Sequence, residues 1–198
     1  MNMSTERQFA DKADLLIQNA SETGLLRPAP PAIRWYACRT KSRAEKRVAE
    51  RLVLEGIESY LPLVLVERQW SDRKTRVPFP LFSGYVFARF ELTQVHEILK
   101  TPGVSTIIRT GNKPSPVRDQ EIESVRIMVE AANQVGVLPT PADDLVLGDD
   151  VIVVDGPFKG VVGTLIQARK KTKVLVRLTT IRQGVSVEID RRHLKPAI

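Results

Sequence analysis

Two histidines, His96 and His193, and one cysteine, Cys38, are the residues of this chain best suited to catalysis or metal binding. A nucleophilic triad needs a Ser or Cys, a base and an orienting carboxylate within reach of one another. Neither His sits in a motif of that kind, and no carboxylate spacing supplies an acid and base pair. Two His without a Cys pair fall short of the ligand set of a typical zinc site. Gly156-Pro157-Phe158-Lys159-Gly160, with Gly163, is glycine-rich. It lacks the following Lys-Ser/Thr and helix of a phosphate loop, so its glycines are expected in tight turns between strands. The expectation is a protein that binds rather than reacts: no catalytic residue, no metal, no cofactor.

The binding candidates are basic. Arg39, Lys41, Arg43, Lys46 and Arg47 surround the start of the first expected helix. Arg68, Arg73, Lys74 and Arg76 lie on an expected hairpin beside Trp70. A helix start presents unpaired N–H groups that suit phosphate. Arg and Lys beside an aromatic suit a nucleic-acid backbone or an exposed base. Either cluster also reads as a solvated face. From them Arg39, Lys41, Arg43, Arg73, Lys74 and Arg76 are the residues expected near nucleic acid.

The whole composition agrees with a folded, basic binder. The 198 residues carry 30 Lys and Arg against 23 Asp and Glu, a net charge of +7, which suits nucleic acid or an acidic protein surface. With 42% apolar and 27% charged residues, the chain is neither disordered nor collagen-like. No run approaches the roughly 18 uncharged apolar residues of a membrane span. The single Cys excludes an internal disulfide, and the first residues are of mixed charge rather than an apolar signal core. A cytoplasmic monomer is expected.

Patterning sets the elements. Residues 1–32 read as a flexible extension, stiffened near its end by Pro28-Ala29-Pro30-Pro31. Strands are expected at Ile33–Cys38, Ile57–Leu61, Val64–Arg68, Lys74–Val77, Tyr85–Phe90 and Ser105–Arg109, the middle pair joined through Ser71-Asp72. A helix over Lys41–Glu55 places Ala44, Val48, Ala49, Leu52 and Val53 on one face. Shorter and longer helices follow at Thr93–Leu99 and from Asp119, the latter with Asp119 as N-cap and Ile122, Val125, Val129 and Ala132 inward. Residues 33–132 are thus expected to form an α+β sandwich. Residues 133–146 read as a linker. Four β-rich stretches between Val151 and Ile189, parted by turns at Gly156-Pro157, Arg169–Thr172 and Gln183-Gly184, make 147–198 a small all-β barrel. Their β-branched residues and interspersed Gly and Pro favour that one β state over a helical alternative.

Together these halves resemble a family. Trp35-Tyr36, the basic first helix, Tyr60-Leu61-Pro62 and Pro80-Leu81-Phe82-Ser83-Gly84-Tyr85-Val86-Phe87 resemble the N-terminal domain of NusG-type transcription elongation factors. Val151 to Gly163 resembles the KOW motif that follows it. The resemblance runs from about Ile33 to Pro196. It implies a ferredoxin-like N-terminal domain, mainly antiparallel sheet flanked by helices, followed by an SH3-like barrel. It also implies docking on RNA polymerase, at the β′ clamp helices and across the channel at the β gate loop, with suppression of pausing or termination. Phe82, Gly84, Tyr85 and Phe87 are the implied clamp residues, His96 and Glu97 the implied gate-loop residues. The barrel is implied to bind a second partner, Rho or a ribosomal protein, through Phe158 and Ile181, with non-template DNA or nascent RNA close by.

From the residues alone, Tyr85 and Phe87 share a strand face and serve as partner anchors or as core. Three departures from the family pattern point to a specialised member that serves particular operons. Ser83 stands where proline is usual before the glycine, Ile181-Arg182-Gln183-Gly184 replaces a Phe-Gly-Arg turn, and residues 1–32 are additional. The rival expectation is a stand-alone KOW protein that binds RNA or the ribosome.

Overall fold

The structure is a computed structural model that describes residues 32–69, 74–142, 148–168 and 171–197. The expected extension 1–32, Trp70 to Arg73 with the hairpin turn, and Arg169 lie outside the described residues, Ala32 excepted. Residues Ile33–Ile198 form one compact unit. In chain order its elements begin with β1 (Arg34–Thr40), α1 (Glu45–Leu54), β2 (Glu58–Tyr60), β3 (Leu63–Gln69), β4 (Lys74–Pro80) and β5 (Tyr85–Phe90). There follow α2 (Val95–Lys100), β6 (Val104–Ile107), β7 (Arg109–Thr110), β8 (Lys113–Pro114), β9 (Pro116–Val117) and α3 (Asp119–Val135). The last part holds β10 (Thr140–Ala142), β11 (Asp150–Val153), β12 (Val162–Ala168), β13 (Lys171–Leu178), β14 (Gln183–Glu188) and β15 (Leu194–Pro196).

The first sheet runs β2-β5-β1-β6, with β9 also paired to β1, and every pairing is antiparallel. Side-chain alternation gives it two buried faces. Tyr36, Cys38, Val86, Ala88 and Phe90 pack with Val48 and Leu52 of α1 and Ile98 of α2. Trp35, Ala37 and Phe87 belong to the other cluster, with Ile122, Val125 and Val129 of α3. The sheet therefore lies between α1 and α2 on one side and α3 on the other. Burial in the first layer pushes the Cys38 thiol up to about 12, which leaves it inert as a nucleophile in the folded state.

The second sheet runs β10-β14-β13-β12-β11-β15 and is wholly antiparallel. Its buried face gathers Val151, Val153, Val174, Val176, Val185 and Val187. The pairing path is open among the described residues, with β10 and β15 as its ends. The Gly156–Gly160 segment is a turn, with φ of +82° at Gly156 and +98° at Gly160. It connects β11 to β12, as its glycines suggest.

Several expected boundaries are corrected. The first helix starts at Glu45, whose carboxylate turns inward to accept the Gly84 N–H at 2.8 Å. Lys41 and Arg43 consequently lie in a turn, where Arg43 takes a φ of +56°. The N-cap of α3 is Arg118, and Asp119 is its first helical residue. The expected linker 133–146 holds the end of α3 and also β10, which pairs with β14. Lys171 and Thr172, expected in a turn, extend β13.

The long helix α3 has two buried faces. One covers the first sheet. The other meets the second sheet through Ser124, whose hydroxyl accepts the Val162 N–H at 3.1 Å, and through Ile127, whose Cδ1 lies at Gly160. Thr179 Oγ1 donates to Glu121 at 3.0 Å, and Thr180 Oγ1 donates to the Pro116 carbonyl at 3.0 Å. These bonds join the two sheets across α3.

Candidate functional site

The implied clamp residues converge at the end of β5. Gly84 turns the chain into the strand with a φ of +80°, a conformation that favours glycine. The Gly84 carbonyl accepts the Thr40 N–H at 2.8 Å, and its own N–H is held by Glu45. Antiparallel register then sets Tyr85 opposite Arg39 and Phe87 opposite Ala37 and Tyr60. Phe82 meets Phe87 edge to face at 6.1 Å, and Tyr60 lies 6.4 Å from Phe87.

These neighbours do not share one exposure. Phe82 and Phe87 are buried in the cluster that holds α3, at 1% and 0% exposure. They are core, and neither ring is open at the surface of this structure. Tyr85 is half-buried and Arg39 is exposed beside it. Gly84, Phe82 and Phe87 thus form the support, and Tyr85 with Arg39 the accessible end of the face. A cavity of about 260 Å³ separates Leu81 and Phe82 from Pro141, Ala142 and the Arg182–Val185 segment, so the second sheet stands next to this end.

A second constellation fixes the other end of the same sheet face, and the sequence reading missed it. Arg126 of α3 lies over the Trp35 ring at 5.3 Å and the Tyr60 ring at 5.0 Å. Its guanidinium pairs with Glu58 at 3.4 Å, and Glu58 pairs with Arg89 at 3.4 Å. Burial pushes the Tyr60 hydroxyl above its usual range, against the opposing effect of Arg126. Only the strand register, which brings Glu58 opposite Arg89, and the alternation of Trp35 carried a trace of this cluster in the sequence.

His96 and Glu97 are exposed on α2, the helix that covers the opposite face of the sheet. They are not brought together with Tyr85. Of the basic candidates, Arg39, Lys41, Arg43, Lys74 and Arg76 are exposed, and Arg73 lies outside the described residues. Lys74 pairs with Glu67 at 2.8 Å, an interaction that holds the Glu67 carboxyl below its usual range. Arg76 is the register partner of Glu67. Phe158 and Ile181 are buried in the core of the second sheet at 6% and 8% exposure. Both side chains fill the interior of the second sheet. Among the described residues no group of three or more His, Cys, Asp or Glu is placed to hold a metal, and no helix is long and apolar enough to cross a membrane.

Comparison with known proteins identifies the arrangement. Residues 33–126 match the family model described as transcription termination factor NusG. A transcription termination/antitermination protein NusG of Deinococcus radiodurans is 32% identical, over 80% of this chain and 96% of the relative. The chain belongs to the NusG family. The NusG protein of Thermus thermophilus is 28% identical over 80% of this chain and 96% of its own length. A solved structure titled "Domain interaction in Thermotoga maritima NusG" overlaps 84% of this chain and 98% of that one, with 22% identity and a TM-score of 0.45.

Proposed function

We propose that this chain is a transcription elongation and antitermination factor that works by binding RNA polymerase rather than by catalysis. The observation that carries the reading is the exposed end of the β5 face. A half-buried tyrosine stands there beside an arginine, on a support of fully buried aromatics. Amphipathic aromatics and arginines on rigid supports are frequent anchors of protein interfaces. The occupant is the pair of clamp helices of the polymerase β′ subunit. His96 and Glu97, on the opposite side of the sheet, face the β gate loop. A factor that touches both sides of the channel resists clamp opening, and so suppresses pausing or termination. The second sheet is the KOW-type, SH3-like module, and recruits a further protein in the cytoplasm. The additional N-terminal residues and the altered turns favour service at particular operons.

The test is capture from lysate by the full chain, with and without nuclease. Polymerase subunits retained after nuclease treatment support the reading. Ribosomal RNA and protein in place of polymerase, or polymerase lost with the nucleic acid, overturn it in favour of an RNA-binding or ribosome-associated role.

The hairpin contributes an electrostatic part. Reversing Arg73, Lys74 and Arg76 to Glu is expected to weaken association with elongation complexes roughly tenfold at low salt, and less as salt rises. Equal loss on polymerase stripped of nucleic acid would assign these residues to a protein contact instead.

A further inference from the structure

The seam between the two sheets carries a basic groove that neither the polymerase-binding face nor the hairpin uses. The β7–β8 hairpin leaves the first sheet between β6 and β9, bounded by the Ser115 N–H donating to the Ile108 carbonyl at 2.9 Å. Arg109, on β7, lines the same cavity as the N-terminal end of α3. Arg118 caps that helix, and Arg182 approaches from the second sheet. Arg109, Arg118 and Arg182 line one cavity of about 410 Å³, together with Thr110, Ser115 and Thr180. A neighbouring cavity of about 230 Å³ shares Arg118, Glu121 and Thr179 with it and ends at Arg177 and Asp150.

Charge and strain single this groove out. In the larger cavity three guanidinium groups face one carboxylate, Glu121, which is engaged by Thr179 and stands 3.8 Å from Arg118. Among the described residues neither Arg109 nor Arg182 has an ion-pair partner. Arg182 adopts a φ of +53° and a ψ of 42°, a left-handed conformation that residues with a side chain rarely enter. The chain thus holds a long cation in a conformation better suited to glycine, at the mouth of the groove.

We infer that the seam between the sheets, through Arg109, Arg118 and Arg182, binds the phosphodiester backbone of a single nucleic-acid strand. The guanidinium fork matches phosphate oxygens. The two cavities lie side by side on Arg118, Glu121 and Thr179, which suits a chain of phosphates better than one compact anion. No aromatic ring lines either cavity, so bases are not stacked and the contact is independent of sequence. An acidic peptide would want apolar pockets for its side chains, and the larger cavity is lined by Arg, Thr, Ser and Glu with one proline. The inference deepens the functional reading above, in which the chain works beside transcribing nucleic acid. Its test uses the free chain, so that its failure leaves the polymerase contact standing.

The experiment measures binding of the full chain to labelled oligo-dT and oligo-U by anisotropy over a salt series. The variant combines Arg109→Gln with Arg182→Gly. The glycine suits the left-handed turn, so the fold is retained, as circular dichroism checks. The expected result is an affinity lower by roughly tenfold or more at low salt. The slope of log affinity against log salt should become shallower by about 1.4, or about 0.7 for each lost single-strand phosphate contact. Unchanged affinity and slope in the folded variant overturn the proposal. So does a variant that loses tripolyphosphate or polyglutamate binding while it keeps the oligonucleotides.

Discussion

Phe87→Ala is expected to cost about 3–5 kcal/mol of folding stability. The ring is fully buried between β1, β2 and the α3 layer, in edge contact with Phe82. Truncation removes that apolar burial and leaves a cavity that the stiff sheet cannot close. Domains of this size hold about 5–15 kcal/mol in total, so the loss is a large share. Urea unfolding followed by circular dichroism reads it as a lower midpoint with a similar slope. A loss below about 1 kcal/mol would mean that Phe87 is not the core residue described, and would return it to the list of direct contacts.

Tyr85→Ala is expected to do the reverse: little to the fold, much to the partner. Tyr85 is only half-buried, and its backbone is held by the ladder to Arg39 whatever its side chain. Affinity for core polymerase should fall by about 2 kcal/mol, roughly thirtyfold, the scale of an interface anchor. Tyr85→Phe should keep most of the affinity if ring area matters more than the hydroxyl. A folded Tyr85→Ala chain that binds polymerase like its parent would remove the β5 face from the proposed function. The two variants together separate support from contact, which a double substitution would merge.

That separation marks the limit of what could be read from the sequence. Alternation alone assigns Tyr85 and Phe87 to one face, and the structure agrees. It cannot say that α3 and Phe82 cover one ring and leave the other partly open, because coverage depends on residues far along the chain. The helical faces were legible for the same reason that they fold: Val48 and Leu52, or Ile122, Val125 and Val129, recur at helical spacing and are buried. Strand β10 was not legible. Thr140-Pro141-Ala142 has no alternation and contains a proline, which is tolerated because β10 is the end strand of its sheet. The burial of Phe158 and Ile181 was not legible either: each stands among turn residues, and each folds back as a plug under the second sheet. Arg109, Arg118 and Arg182 carried no local signal at all, since only the docking of the sheets on α3 brings them together.

The place of β1 has a consequence for how the protein is born. It is made before every other strand of its sheet, yet it pairs with β5, β6 and β9, the last at Val117. On the ribosome its aromatic residues must wait for most of the first half of the chain to emerge. Until then Trp35, Tyr36 and the edges of β1 are open to other nascent chains. Non-local strand pairing of this kind is slow, and a ten-residue helix such as α1 is marginal until the sheet it covers has formed. The vulnerable period ends only when α3 follows Val117 out and seals the second face.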